Sequence, residues 1–116
     1  MPTSPGPTRA PIPPGTLDML ILKTVAAGRE LHGFQIAEAI ERESREVLQV
    51  EEGSLYPSLQ RMLIKGWLSA EWGRTSENRR ARYYQLTPAG RKQLATEIDA
   101  YRVVSEAIGR ILRPAT

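Results

Sequence analysis

Glu52-Gly53-Ser54-Leu55-Tyr56-Pro57-Ser58-Leu59-Gln60-Arg61-Met62 carries one apolar face and one small, polar, basic face when wound at about 100° per residue. Leu55, Leu59, Met62 and Leu63 form the apolar stripe, Ser54, Pro57, Gln60, Arg61 and Lys65 lie largely opposite, and Tyr56 sits on the boundary. Pro57 falls close enough to the first turn to bend the entry rather than break the helix. The helix is expected to run from Glu52 to Lys65 or Gly66, the glycine supplying a left-handed stop. Further along, Arg79-Arg80-Ala81-Arg82-Tyr83-Tyr84-Gln85-Leu86-Thr87-Pro88-Ala89-Gly90 alternates as a strand and then closes on a helix start. A helix with a bare, donor-bearing face beside a strand of alternating arginines reads as a recognition helix and a basic β-wing. The pair points to DNA.

Leu68-Ser69-Ala70-Glu71-Trp72 alternates in the same way, and residues 73–78 supply turn chemistry between the two strands. A β-hairpin is expected, with Leu68, Ala70, Trp72, Tyr84 and Leu86 toward the core and Arg74, Arg79 and Arg80 at the tip. Upstream, the segment from Leu17 to Gly28 follows a candidate cap at Thr16 and is apolar nearly all the way round. In so small a chain that pattern calls for cover by a second copy. Residues 33–43 read as a supporting helix, with Phe34, Ile36, Ala37 and Ile40 inward and glutamates outward. Residues 44–51 read as a connecting turn, with Val47, Leu48 and Val50 able to form a short strand.

Thr87-Pro88 is a cap followed by a proline at the first helical position, and it opens a last helix running to about Leu112. Leu94, Ile98, Tyr101, Ser105, Ile108 and Leu112 keep a four-three spacing, and Ala100, Val104, Ala107 and Ile111 make a second seam beside it. One seam suits the helix's own domain and two suit a partner helix as well. The alternative is a single wide packing face. The dimer-forming set expected from this pattern is Leu94, Ile98, Tyr101, Val104, Ile108, Ile111 and Leu112, with Leu20 from the first helix.

Composition sets bounds on these readings. A chain of 116 residues suits one domain, and 41% apolar content with regular periodicity argues against wholesale disorder. Residues 1–14 hold six prolines and no apolar signal core, and read as a disordered tail. No apolar run is long enough to span a membrane, and the complete absence of cysteine suits a reducing cytoplasm. The net charge of +3 is unevenly spread. Residues 17–59 hold four basic against eight acidic side chains, whereas residues 60–92 hold eight basic against two acidic. A polyanion is the natural partner of the second stretch, although solvated helix faces explain the charge balance alone.

Catalytic equipment is not evident. The lone histidine, His32, precedes a helix start and suits packing or capping; Glu51 and Glu52 suit the positive end of the helix that follows. No metal, cofactor or enzymatic activity is expected.

Helix, supporting helix, recognition helix and basic hairpin is winged helix-turn-helix order: a mainly α fold with a small β-hairpin, followed by a C-terminal dimerisation helix. The divisions are 1–14, tail; 15–87, winged domain; and 88–113, dimerisation helix. Four blocks go further than the fold: Gly15-Thr16-Leu17-Asp18-Met19-Leu20-Ile21-Leu22, Leu31-His32-Gly33-Phe34-Gln35-Ile36-Ala37, Glu52-Gly53-Ser54-Leu55-Tyr56-Pro57-Ser58-Leu59, and the arginine strand through Gly90. In order and spacing they resemble the PadR family of bacterial transcriptional regulators, over the stretch from Gly15 to about Leu112. The resemblance implies a homodimeric repressor on a palindromic operator, of the short subtype with a single C-terminal helix. It also implies room for a small hydrophobic or aromatic effector at the dimer interface. Family members often carry a tryptophan on that helix, in some used to stack on ligands; this chain has Tyr101 there and no tryptophan after Trp72.

In that architecture Ser54, Gln60 and Arg61 reach base edges or phosphates of double-stranded DNA, with guanine the natural partner of Arg61 and adenine of Gln60. Tyr56 and the backbone amides at the helix start hold phosphate, Pro57 belongs to the same DNA-binding set, and Arg79, Arg80 and Arg82 follow the backbone or minor groove alongside. Core packing is the alternative for Tyr56, and a strand-face salt bridge with Glu71 for Arg82. Two other functions compete. One is a protein-interaction module that reads no DNA, and the other an RNA binder, disfavoured by the lack of aromatic residues clustered on the wing.

Overall fold

The computed structural model describes residues 9–28 and 30–114. Their element order is β1 (Ala10–Pro11), α1 (Leu17–Gly28), β2 (Leu31–His32), α2 (Gly33–Glu43), β3 (Leu48–Gln49), α3 (Glu52–Ile64), β4 (Leu68–Arg74), β5 (Arg80–Leu86) and α4 (Pro88–Leu112). The fold is mainly helical with a winged helix-turn-helix arrangement, as the periodicities indicate. Side chains from every helix meet in one core: Ile21, Leu22 and Val25 of α1, Ile36 and Ile40 of α2, Leu55, Leu59 and Met62 of α3, and Leu94 of α4. Leu68 and Tyr84 close it from the hairpin.

Helix ends follow local chemistry. His32 caps α2: its Nδ1 accepts from the Gln35 amide at 3.4 Å, while Gln35 Oε1 accepts from the His32 amide at 3.1 Å. This reciprocal box satisfies two amides that the first turn leaves orphaned, and it gives the histidine the capping role expected of it. Gly66, at φ 78°, follows the end of α3 in the left-handed conformation that a side chain would strain. Thr87 caps α4 by accepting from the Gly90 amide at 3.0 Å, and its hydroxyl lies 2.6 Å and 3.0 Å from the carbonyl oxygens of Gly66 and Trp67. Gly90 is buried against the same backbone, where a Cβ would collide with the Trp67 carbonyl oxygen. The start of α4 is thereby seated directly on the segment between α3 and β4.

Of the structure's departures from expectation, four concern the framework of the fold. Residues 9–14, read as part of a disordered tail, are placed: β1 pairs in parallel with β3, the Ala10 amide donates to Val47 at 2.8 Å, and Ile12 packs on the core. Pro11 is compatible because an edge strand leaves some amides unpaired. Residues 1–8 of that tail lie outside the described residues. Secondly, β2 joins β5 as a third strand of the wing sheet, in the order β2-β5-β4. Two residues are too short to show an alternation. Thirdly, β4 continues through Gly73 and Arg74, which sequence assigned to the turn. Fourthly, Phe34 is 66% exposed rather than inward. At about 100° per residue it stands some 200° from Ile36, on the other side of α2.

Along α4 only the first turns are covered. Leu94 is buried and Ile98 packs against the core, whereas Tyr101, Val104, Ile108, Ile111 and Leu112 are exposed, Ile111 at 81%. Leu20 on α1 is partly buried against its own core. Among the described residues no helix is long and apolar enough to cross a membrane, and no group of acidic or histidine side chains is arranged to hold a metal ion.

Candidate nucleic-acid interface

The buried stripe of α3 leaves a bare face made of Gly53, Pro57, Gln60 and Ile64, all exposed. No heavy atom lies within 4 Å of a Cβ built on Gly53, so this end of the face is open. Ile64, at 77% exposure, is an addition that the stripe analysis passed over. It lies nine positions beyond Leu55, half a turn out of phase, and that phase was the available signal.

The two flanks of the face differ. On one side Tyr56 leans over the N-terminus of α2, where Gly33 makes space for it: a Cβ on Gly33 would come within 2.8 Å of the Tyr56 ring. Tyr56 is therefore about half exposed rather than a core residue. On the other side Ser54, Ser58 and Arg61 border a groove of about 640 Å³ that the N-terminal arm also lines, through Pro11, Ile12 and Pro14. Here Arg61 does not extend freely. Its Nη2 donates to both carboxylate oxygens of Asp18, at 2.7 and 2.9 Å, and approaches the Ser58 hydroxyl at 3.2 Å. The hydrogen bond to Asp18, reinforced by its charge, pushes the guanidinium pKa above its ordinary value. Helical spacing placed Arg61 correctly on an outward flank, but a partner 43 residues away is invisible to it.

The hairpin supplies the second surface. In register, Leu68 faces Leu86, Ala70 faces Tyr84, Trp72 faces Arg82 and Arg74 faces Arg80. These pairs share one face of the sheet. Its inner end is buried, and burial pushes the Tyr84 phenol up. Trp72, expected in the core, is 59% exposed and lines an open concavity with Phe34 and Tyr56. Its ring carries Arg80 at 4.3 Å and Arg82 at 5.6 Å. Glu71 faces Tyr83 on the opposite side of the sheet, so the alternative Arg82–Glu71 salt bridge is not formed. At the tip, the Asn78 backbone is left-handed at φ 62° and its carbonyl accepts from Arg74 at 3.1 Å. Arg79 and Arg80 stand beyond that turn, both exposed.

Between the wing and the ends of α2 and α3 lies a concavity of about 860 Å³, lined by Phe34, Tyr56, Trp72, Arg79, Arg80 and Arg82 among others. Glu38 and Glu77 are the acidic groups on its wall. Aromatic side chains therefore do gather beside the wing, contrary to expectation. Sequence order hides this because Phe34, Tyr56 and Trp72 come from three separate elements.

Among relatives, a transcriptional regulator of Mycobacterium tuberculosis is 38% identical over 72% of this chain and 74% of its own length. A transcriptional regulator from Clostridium thermocellum superposes with a TM-score of 0.77 at 23% identity, over 85% of this chain and 95% of its own. Bacillus subtilis PadR, solved in complex with operator DNA, superposes with a TM-score of 0.63 at 22% identity, over 72% of this chain and 47% of its own. The two structural likenesses establish the fold. The model of the transcriptional regulator PadR-like family matches residues 21–96, from the heart of α1 through the wing to the first turns of α4, and the chain belongs to that family.

Proposed function

We propose that this chain is a DNA-binding transcriptional regulator that acts as a homodimer, represses from a palindromic operator and reads it with α3. The observation that carries the reading is that Tyr56, on the flank of the bare face of α3, lines one concavity with Arg79, Arg80 and Arg82 of the wing. B-DNA's major groove admits a helix, and the adjoining backbone then passes beside the wing. Ser54, Pro57 and Gln60 meet base edges, and Gln60 suits adenine. Tyr56 and the amides at the helix start take phosphate. Arg79, Arg80 and Arg82 follow the backbone and supply affinity more than choice. Arg61, tied to Asp18, contributes from the flank through its remaining donors.

Two half-sites one helical turn apart need two α3 helices at a fixed spacing. The exposed apolar residues of α4, Tyr101, Val104, Ile108, Ile111 and Leu112, support pairing of two copies there. Leu94 and Ile98 anchor the same helix to its own domain, and Leu20 of α1 is likewise packed against that domain's core. A small hydrophobic or aromatic effector entering between the paired helices, against Tyr101, weakens operator binding by changing that spacing.

The test is a salt titration. Replacing Arg79 and Arg80 together with alanine is expected to weaken binding to every duplex and to reduce the slope of log affinity against log salt by about 1 per lost phosphate contact. An unchanged slope removes the wing from the interface. Failure of the wild-type chain to retard any duplex selected from random sequence removes DNA altogether, in favour of a protein-interaction role.

A further inference from the structure

The ion pair between α1 and α3 limits what Arg61 offers a ligand. One nitrogen, Nη2, serves Asp18 Oδ1 at 2.7 Å, Asp18 Oδ2 at 2.9 Å and Ser58 Oγ at 3.2 Å. Ser58 is buried and the Asp18 side chain is only 20% exposed, so the fold holds the acceptors in place. A guanidinium has two forks, the Nε/Nη2 edge and the Nη1/Nη2 edge, and both include Nη2. Bidentate recognition of guanine O6 and N7 requires one whole fork. With the Nη2 hydrogens directed at Asp18 and Ser58, the donors left on Nε and Nη1 diverge, and each makes a single contact of the kind a phosphate oxygen accepts.

Resting on the DNA-binding reading above, we infer that Asp18 is a specificity-determining residue that withholds the guanine fork of Arg61. Asp18 meets no base. It acts through Arg61 as a positioning residue, confining that side chain to the backbone and leaving base choice to Gln60 and its neighbours. An arginine on a recognition helix ordinarily imposes guanine at one position of each half-site; here an intramolecular carboxylate occupies the place the base would take. The Asp18 charge also opposes an approaching phosphate, so its removal raises affinity for all duplexes while it changes sequence choice.

The experiment is selection from a random duplex library with the full chain in four forms: wild type, Asp18→Asn, Arg61→Lys and the double variant. Wild type and Arg61→Lys should select the same sequences, because lysine keeps the charge and has no fork to lose. Asp18→Asn should gain guanine at one position of each half-site, enriched about tenfold as a single bidentate contact confers. The double variant should lose that gain. Asp18 also lies in the first turn of α1, where a carboxylate favours the helix. A urea midpoint measured for each variant separates that stability loss from base preference, which a merely structural role would not move. Loss of a wild-type guanine on Arg61→Lys overturns the inference, since the fork would then be in use. So does an Asp18→Asn selection identical to wild type. If no form enriches any sequence, the DNA-binding reading fails and takes this inference with it.

Discussion

The two halves of α4 share one helix and one apolar spacing, yet they meet different surroundings. The first half is seated through Thr87 and Gly90 on the Gly66–Trp67 backbone and inserts Leu94 into the core. The second half repeats the pattern through Tyr101, Val104, Ile108 and Leu112, which are half exposed or more among the described residues. The difference teaches that an apolar period specifies that a helix will be covered, and not by what. The covered half is part of the winged domain's stability; the bare half has stability to offer only in an assembly.

The comparison breaks most readily at Val104. Val104→Glu is expected to lower affinity for the wild-type-selected duplex to the non-specific level, on the order of 10³-fold or more, as the two half-sites are no longer held together. Sedimentation should show a monomer of unchanged fold. A monomeric variant that kept wild-type affinity would detach the far half of α4 from the function. Next in size is Leu94→Ala, which should cost about 3 kcal/mol as a core truncation. Measured by urea unfolding in the Val104→Glu background, where dimer formation cannot contribute, Ile111→Ala should instead stay within about 0.5 kcal/mol. Equal losses at the two positions would erase the distinction. Between these two falls Thr87→Ala, at about 1 kcal/mol for a lost cap. It sharpens the comparison by testing the seat of the helix apart from its apolar contacts.

Much of this architecture is legible in the sequence because its signals are local. Thr87-Pro88 and Gly66 mark helix boundaries by backbone chemistry, and the Leu55, Leu59, Met62 stripe identifies both the buried side of α3 and the side it leaves bare. The strand alternation of Leu68 to Trp72 gives the correct face but not its depth. Trp72 sits on the inner face by parity and yet outside the core, on the wall of an open concavity. Long-range pairings are lost for a related reason. The contacts of β1 with β3, and of Asp18 with Arg61, join segments that carry no mark of one another, and the ion pair of α3 is one of them. The family blocks hold Asp18, but the block on α3 stops at Leu59, short of Arg61.

Gly90, pressed against the Trp67 carbonyl, has a mechanical consequence. It makes α4 a lever with a fixed foot: 25 residues at about 1.5 Å each give an arm of roughly 38 Å. At that length a tilt of about 1.5° at the foot displaces the tip by about 1 Å. In a pair joined at the tips, the same ratio runs backwards. In the proposed dimer, small rearrangements between the far ends would swing the two winged domains as the jaws of a caliper, and the gap between those jaws is what a palindrome would measure.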